Sequence, residues 1–172
     1  MDDTFKFLKK TFPEKFIQIV LEHKAVNKVI TFCDDKNQYL LFTGIFPEVN
    51  GGKGFNDELE TYFVNFLSEK YHSSAVGRAA AYVLEDQTAF IGFDIKGADG
   101  SIWAQQNIFK VDDEDKVIEV QTEFNNSSDE NHICNLVDTY FEQIDFPEDT
   151  NQFLNDLYEQ VKPQLQIIPL TE

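Results

Sequence analysis

A chain of 172 residues with 42% hydrophobic side chains, 17 Phe and 6 Tyr can bury a sizeable core, since a folded domain of this size hides roughly 70% of the surface its unfolded chain exposes, and this excludes disorder. Its 31 acidic and 14 basic side chains leave a net charge of −17, which argues against direct contact with nucleic acid, where affinity comes from Lys and Arg displacing counterions. The charge is uneven: +2 over residues 1–30, −5 over 31–111, and −14 over 112–172, where 16 acids face 2 Lys.

The chain starts Met1-Asp2-Asp3, without a basic stretch leading into an apolar run, and no run approaches 18 apolar residues. Neither secretion nor membrane spanning is expected, and we place the protein in the cytoplasm. Its two cysteines, Cys33 and Cys134, are expected as buried free thiols, and two alone do not make a zinc site.

In chain order, residues 4–11 and 14–24 read as two helical pieces around Pro13, with Phe5, Leu8 and Phe12, then Phe16, Ile17, Ile19, Val20 and Leu21, near the helical period. Lys28–Cys33 and Tyr39–Phe46 read as a hairpin around the polar turn Asp34-Asp35-Lys36-Asn37. Residues 47–54 are rich in turn formers and form a loop. A helix follows from an N-cap at Asn56, with Asp57, Glu58 and Glu60 suiting its positive start and Leu59, Tyr62, Phe63, Phe66 and Leu67 making its apolar stripe.

From about Arg78 to Phe124 the period becomes two, with Ala89, Ile91, Phe93 and Ile95, then Trp103, Phe109 and Val111, then Ile118, Val120, Thr122 and Phe124. With turns near Glu85–Gln87, Gly97–Gly100 and Asp112–Asp115, this predicts a four-stranded antiparallel meander. Two amphipathic helices follow, at about 130–143 and 150–162, the second stopped by Pro163. The expectation is an α+β fold in a single domain over residues 1–172: an antiparallel sheet, made of the meander plus the N-terminal hairpin, covered by N-terminal, central and two C-terminal helices.

Catalytic signatures are weak. Asp112-Asp113-Glu114-Asp115 offers oxygen ligands to Ca²⁺ or Mg²⁺ but lacks the glycine and distal Glu of an EF-hand loop, so a solvated turn is expected. Asp94-Ile95-Lys96, or Glu114-Asp115-Lys116, with an upstream acid such as Asp86, resembles the metal site of restriction-type nucleases, a role the charge of −17 opposes. His23, His72 and His132 fall in separate elements. The glycines of Gly51–Gly54 and Gly97–Gly100 lack the spacing of a phosphate cradle. No metal or other cofactor is expected.

Residues 107–119, Asn-Ile-Phe-Lys-Val-Asp-Asp-Glu-Asp-Lys-Val-Ile-Glu, resemble the closing hairpin of nuclear-transport-factor-2-like cone domains. The resemblance reaches over at most residues 56–124 and implies a sheet curled around a ligand pocket or a partner; a cone that encloses a small ligand, or acts as a lyase or isomerase, would show a deep apolar pocket walled by Phe93, Trp103 and Phe109. The chain departs from it in the hairpin before Asn56 and the helices after residue 124, so no site residue is carried over.

The acidic last third carries the main expectation. Carboxylates bordering aromatic anchors suit docking on a basic cleft, where charge speeds association and rings supply affinity. The partner-binding residues expected are Asp112, Asp113, Asp115, Asp138, Tyr140, Glu142, Asp145, Phe146, Glu148, Asp149, Asp156 and Tyr158. The implied role is that of a non-enzymatic inhibitor, of the kind of a bacterial immunity protein, blocking the positively charged active site of a cognate toxin such as a nuclease. A DNA mimic shares the electrostatics but predicts several unrelated basic partners.

Overall fold

The first helix, α1 (Asp3–His23), opens on a cap: the Asp2 carboxylate accepts the Phe5 N–H at 2.8 Å, satisfying one of the donors a helix start leaves free. The computed structural model describes residues 2–23, 28–42, 57–84, 88–114, 117–128, 140–141 and 148–170. The break expected at Pro13 is absent, and α1 runs through it as one helix. Proline inside a helix removes one backbone bond and costs about 3 kcal/mol. That cost is offset because Phe5, Leu8, Phe12 and Phe16, on both sides of Pro13, are all fully buried against one surface. The rings of Phe12 and Phe16 meet Phe93 edge-on at 5.6 and 5.9 Å, the arrangement aromatic quadrupoles favour.

That surface is a seven-stranded sheet in which every pairing is antiparallel. In chain order its strands are β1 (Val29–Cys33), β2 (Asn37–Phe42), β3 (Ala75–Leu84), β4 (Thr88–Gly97), β5 (Ile102–Val111), β6 (Val117–Ser128) and β7 (Gln166–Pro169), and in space β6-β5-β4-β3-β1-β2-β7. Two further helices are described, α2 (Asp57–Tyr71) and α3 (Glu148–Val161), the latter followed by a short 3-10 turn, Lys162–Gln164. Strands grouped in one antiparallel sheet with separate helices make the fold α+β. Among the described residues, no helix is long and apolar enough to cross a membrane.

Side-chain alternation divides the core in two. On one face Val29, Cys33, Leu40, Ala79, Ile91, Phe93, Ile95 and Trp103 pack under α1. On the other Ile30, Phe32, Tyr39, Leu41 and Val76 pack under Phe63, Val64 and Leu67 of α2 and Leu154, Leu157, Tyr158 and Val161 of α3. Gly77 lets α1 come close, since a Cβ there would lie 2.8 Å from Thr31 Cγ2 and 2.9 Å from Phe12 Cδ1.

The hairpin of β1 and β2 turns on Asp34. Its carboxylate accepts the N–H groups of Lys36 and Asn37 at 2.8 and 2.7 Å and the Tyr39 hydroxyl at 2.5 Å. Partial burial acts to raise the Asp34 pKa, but these three bonds and the nearby Lys36 charge outweigh it and hold the carboxyl below its ordinary value.

Several expectations are revised. The sheet that joins the hairpin and the later strands gains an unexpected seventh strand, β7, which pairs with β2. The strand region begins at Ala75, three residues before Arg78. Of the helix expected over 130–143, only Tyr140 and Phe141 are described; they form a turn with Phe141 at φ 67°, so no helix continues through them. The loop at 47–54, the cap at Asn56, the turn at Glu85–Gln87 and Cys134 lie outside the described residues.

Candidate functional site

Helix α3 is amphipathic by sequence. Leu154, Leu157, Tyr158 and Val161 fall at i, i+3, i+4 and i+7, and all are buried. Its other side is solvent-facing, with Asp149, Gln152, Asp156, Glu159 and Gln160 exposed. Gln152 donates from its amide to Asp156 Oδ1 at 2.9 Å, which keeps that carboxylate on the outer face. Phe153 is 43% exposed, with Asp149 one turn before it and Asp156 one turn after.

The two tyrosines expected as anchors are not available to a partner. Tyr140 is 1% exposed and donates its hydroxyl to the Glu60 carboxylate at 2.9 Å. Tyr158 is 4% exposed, its hydroxyl 2.7 Å from that of Tyr71, with Lys70 Nζ 4.5 Å and Lys162 Nζ 5.8 Å from its ring centre. Burial, then the bond to Tyr158, pushes the Tyr71 hydroxyl pKa well up. Both rings fall on the helix or turn side facing the sheet, where burying large apolar area stabilises the fold.

The other expected residues are dispersed. Asp149 and Asp156 share the outer face of α3. Asp112 is half-buried, its Oδ1 accepting the Glu114 N–H at 2.9 Å, and Asp113 is exposed. These two lie between β5 and β6, at the sheet edge opposite β7, so they do not extend the α3 face. Glu148 opens α3, and its side chain lies outside the described set, as do Asp115, Asp138, Glu142, Asp145 and Phe146.

Sequence reasoning missed an ionic centre under α2. Glu60, which looks like an acid suited to a helix start, is 0% exposed. Its carboxylate accepts Arg78 Nε at 3.0 Å, the Tyr140 hydroxyl, and the Lys28 ammonium. Arg78 is 7% exposed and stands directly across from Asp94, itself 2% exposed, on the neighbouring strand. The available signal was that Arg78 is the chain's lone arginine and falls within an apolar strand; a buried guanidinium demands carboxylates. The adjacent turn is tied to the same helix, since the Phe141 N–H is donated to Asn65 Oδ1 at 2.7 Å.

Among the described residues, the candidate chemistry elsewhere finds no matching geometry. Asp94 is buried across from Arg78, Lys96 is half-buried, and Asp86 lies outside the described residues, as do Asp115 and Lys116. Among the described residues no group of three or more His, Cys, Asp or Glu is placed to hold a metal ion. The Cys33 thiol is pushed up to about 12 by burial and by the Asp34 charge, which keeps it protonated and unreactive. His72 is exposed just past the end of α2 at φ 55°. Phe93 and Trp103, expected in a pocket wall, pack in the core beneath α1, and the Phe109 side chain lies outside the description.

Comparison with protein-family models, with curated proteins and with solved structures found no match to this chain in any of the three.

Proposed function

We propose that this chain is a non-enzymatic acidic protein-binding domain, an inhibitor or immunity protein whose outer α3 face enters the basic active site of a cognate toxin, such as a nuclease. One observation carries this reading: Asp149, Asp156 and Glu159 are exposed together on one helix face, in a region where 16 acids meet 2 Lys. Such a face stands in for nucleic-acid phosphates. Its field steers a cationic cleft toward it and raises the association rate, most strongly at low ionic strength.

The test is affinity capture from native lysate at low salt, with the unaltered chain and with a triple variant Asp149→Lys, Asp156→Lys, Glu159→Lys. One basic protein should be retained by the unaltered chain, released by a salt gradient, and lost with the variant. Equal retention by both would remove α3 from the interface. Retention of many unrelated DNA-binding proteins would instead support the DNA-mimic role, which shares these electrostatics.

A further inference from the structure

Strand β7 is held to the molecule mainly by its backbone. Among the described strands it pairs with β2 alone, over residues 166–169, and the Leu170 N–H adds a bond to the Lys36 carbonyl at 2.8 Å. Gln166, Ile167 and Pro169 are exposed and Ile168 is half-buried, so side-chain anchorage comes from Ile168, on the α1 side of the sheet, and from the buried Leu165 just before the strand. The 3-10 turn that joins β7 to α3, Lys162–Gln164, buries no residue and lacks a side-chain cap. Pro163 within it cannot continue the helix, so the turn is a joint that opens without disturbing the core. Residues 163–171 carry no charged side chain, the longest such run after Val111.

We infer that β7 is an exchangeable strand, and that the outer edge of β2 is a site for the β7 of a second copy of this chain. Opening the joint frees residues 165–170 and leaves the β2 edge without a partner, a template for another strand. The same segment of a second copy restores every β2–β7 contact. Closed and exchanged forms then differ in the joint and in the contacts between copies, which makes exchange a low-cost route to a dimer. A second copy suits the edge better than an unrelated strand because it brings Leu165 and Ile168 in register and adds no charge to the pairing. Net charge acts against association. Extended, the joint spans at most about 13 Å from Val161 to Leu165, which holds two α3 helices near each other, each with four acids and no Lys or Arg. Salt screens that repulsion, so the dimer is favoured by high ionic strength, and it carries two α3 faces in one particle.

The test uses full chains in a Cys134→Ser background, one with Asn37→Cys and the other with Pro169→Cys, each verified by its urea midpoint. Leu170 and Lys36 share a hydrogen bond, so the next pair, Asn37 and Pro169, is of the non-hydrogen-bonded kind. Such pairs bring Cα atoms to about 4.5 Å, within disulfide range. Both substitutions in one dilute chain should close an intrachain disulfide. The two single variants, mixed at roughly 0.1 mM in high salt and then oxidised, should give the cross-linked heterodimer on the order of tenfold in excess of either homodimer, because pairing raises the local thiol concentration to about 1 mM. The unaltered chain should show a dimer in sedimentation that grows with protein and salt concentration and relaxes slowly on dilution, since β7 must detach first. An intrachain disulfide in the double variant beside only a statistical mixture from the single variants would overturn the inference, because β7 would then stay in its own chain. Failure of the double variant to close, or a monomer at every concentration and salt, would overturn it too. These results leave the proposed toxin contact untouched, since that contact uses the outer face of α3.

Discussion

Replacing Glu60 by Leu should be among the most destabilising single changes in this protein. The carboxylate is 0% exposed and is shared by Arg78, Lys28 and Tyr140. Removing one partner of a buried ion pair costs about 3–5 kcal/mol where the remaining charge is left uncompensated, and Asp94 across from Arg78 puts the expected loss at the lower end of that range. Most of that falls on Arg78, at 8% side-chain exposure, because Lys28 keeps a quarter of its side chain in water and can turn outward. The Tyr140 hydroxyl loses a bond to a charged group, about 1.5–3 kcal/mol when measured alone. The two losses share one acceptor and do not add. Against a total stability of about 5–15 kcal/mol for a domain, Glu60→Leu should lower the urea midpoint by about a fifth or more, with Tyr140→Phe intermediate between it and the unaltered chain. The matched control is Glu60→Gln, whose amide oxygen can still accept from Arg78 and Tyr140 and should recover part of the loss. A Glu60→Leu penalty under about 1 kcal/mol at pH 7 would refute the account, because it would mean that holding the buried Arg78 charge does not depend on Glu60.

Gly77→Ala should cost about 1–3 kcal/mol through overpacking, since the new Cβ meets Thr31 and the Phe12 ring inside 3 Å; a urea midpoint unchanged from the parent would show that α1 can shift. Asp34→Asn should be less stable than the parent at neutral pH. The folded carboxyl titrates below its unfolded value, so its stabilisation is complete above that unfolded value and lost as pH falls through the folded one. The difference between the two proteins should therefore shrink below about pH 4, and a gap that stays constant from pH 7 to pH 3 would contradict this. Cys33 should resist a thiol reagent at pH 8 in the native state and react once urea unfolds the chain, given a thiol pushed up to about 12; rapid native reaction would mean that β1 opens.

Period and turn chemistry carried most of the architecture, because buried strands alternate and buried helix faces recur every three to four residues. The stripe Phe5, Leu8, Phe12 and Phe16 was legible, and its spacing runs unbroken through Pro13; the local rule for proline obscured a continuity that packing against Phe93 enforces. β7 was not legible, because four residues beside Pro163 and Pro169 give no period to read and its strand character comes from pairing with β2. The outer face of α3 followed from composition. Which rings faced outward did not: Tyr140 and Tyr158 lie among acids in sequence, yet their hydroxyls find partners in Glu60 and Tyr71 and so can be buried, whereas Phe153 stands at the rim of the buried stripe. The ionic centre is legible only from the fold, since it joins residues 28, 60, 78 and 140 from four separate segments.

The position of β7 has a consequence for how the chain is made. Residues 166–169 pair with residues 37–40, and the Leu170 N–H extends the contact to the Lys36 carbonyl at 2.8 Å. During synthesis the outer edge of β2 therefore lacks this partner until residues 166–170 have left the ribosome. Contacts between segments this distant in sequence form late and slowly, after the loop-closure entropy has been overcome. The acidic helix that precedes β7 is tethered at its far end by the same strand, so the face proposed to meet a toxin reaches its final form only as the sheet is closed.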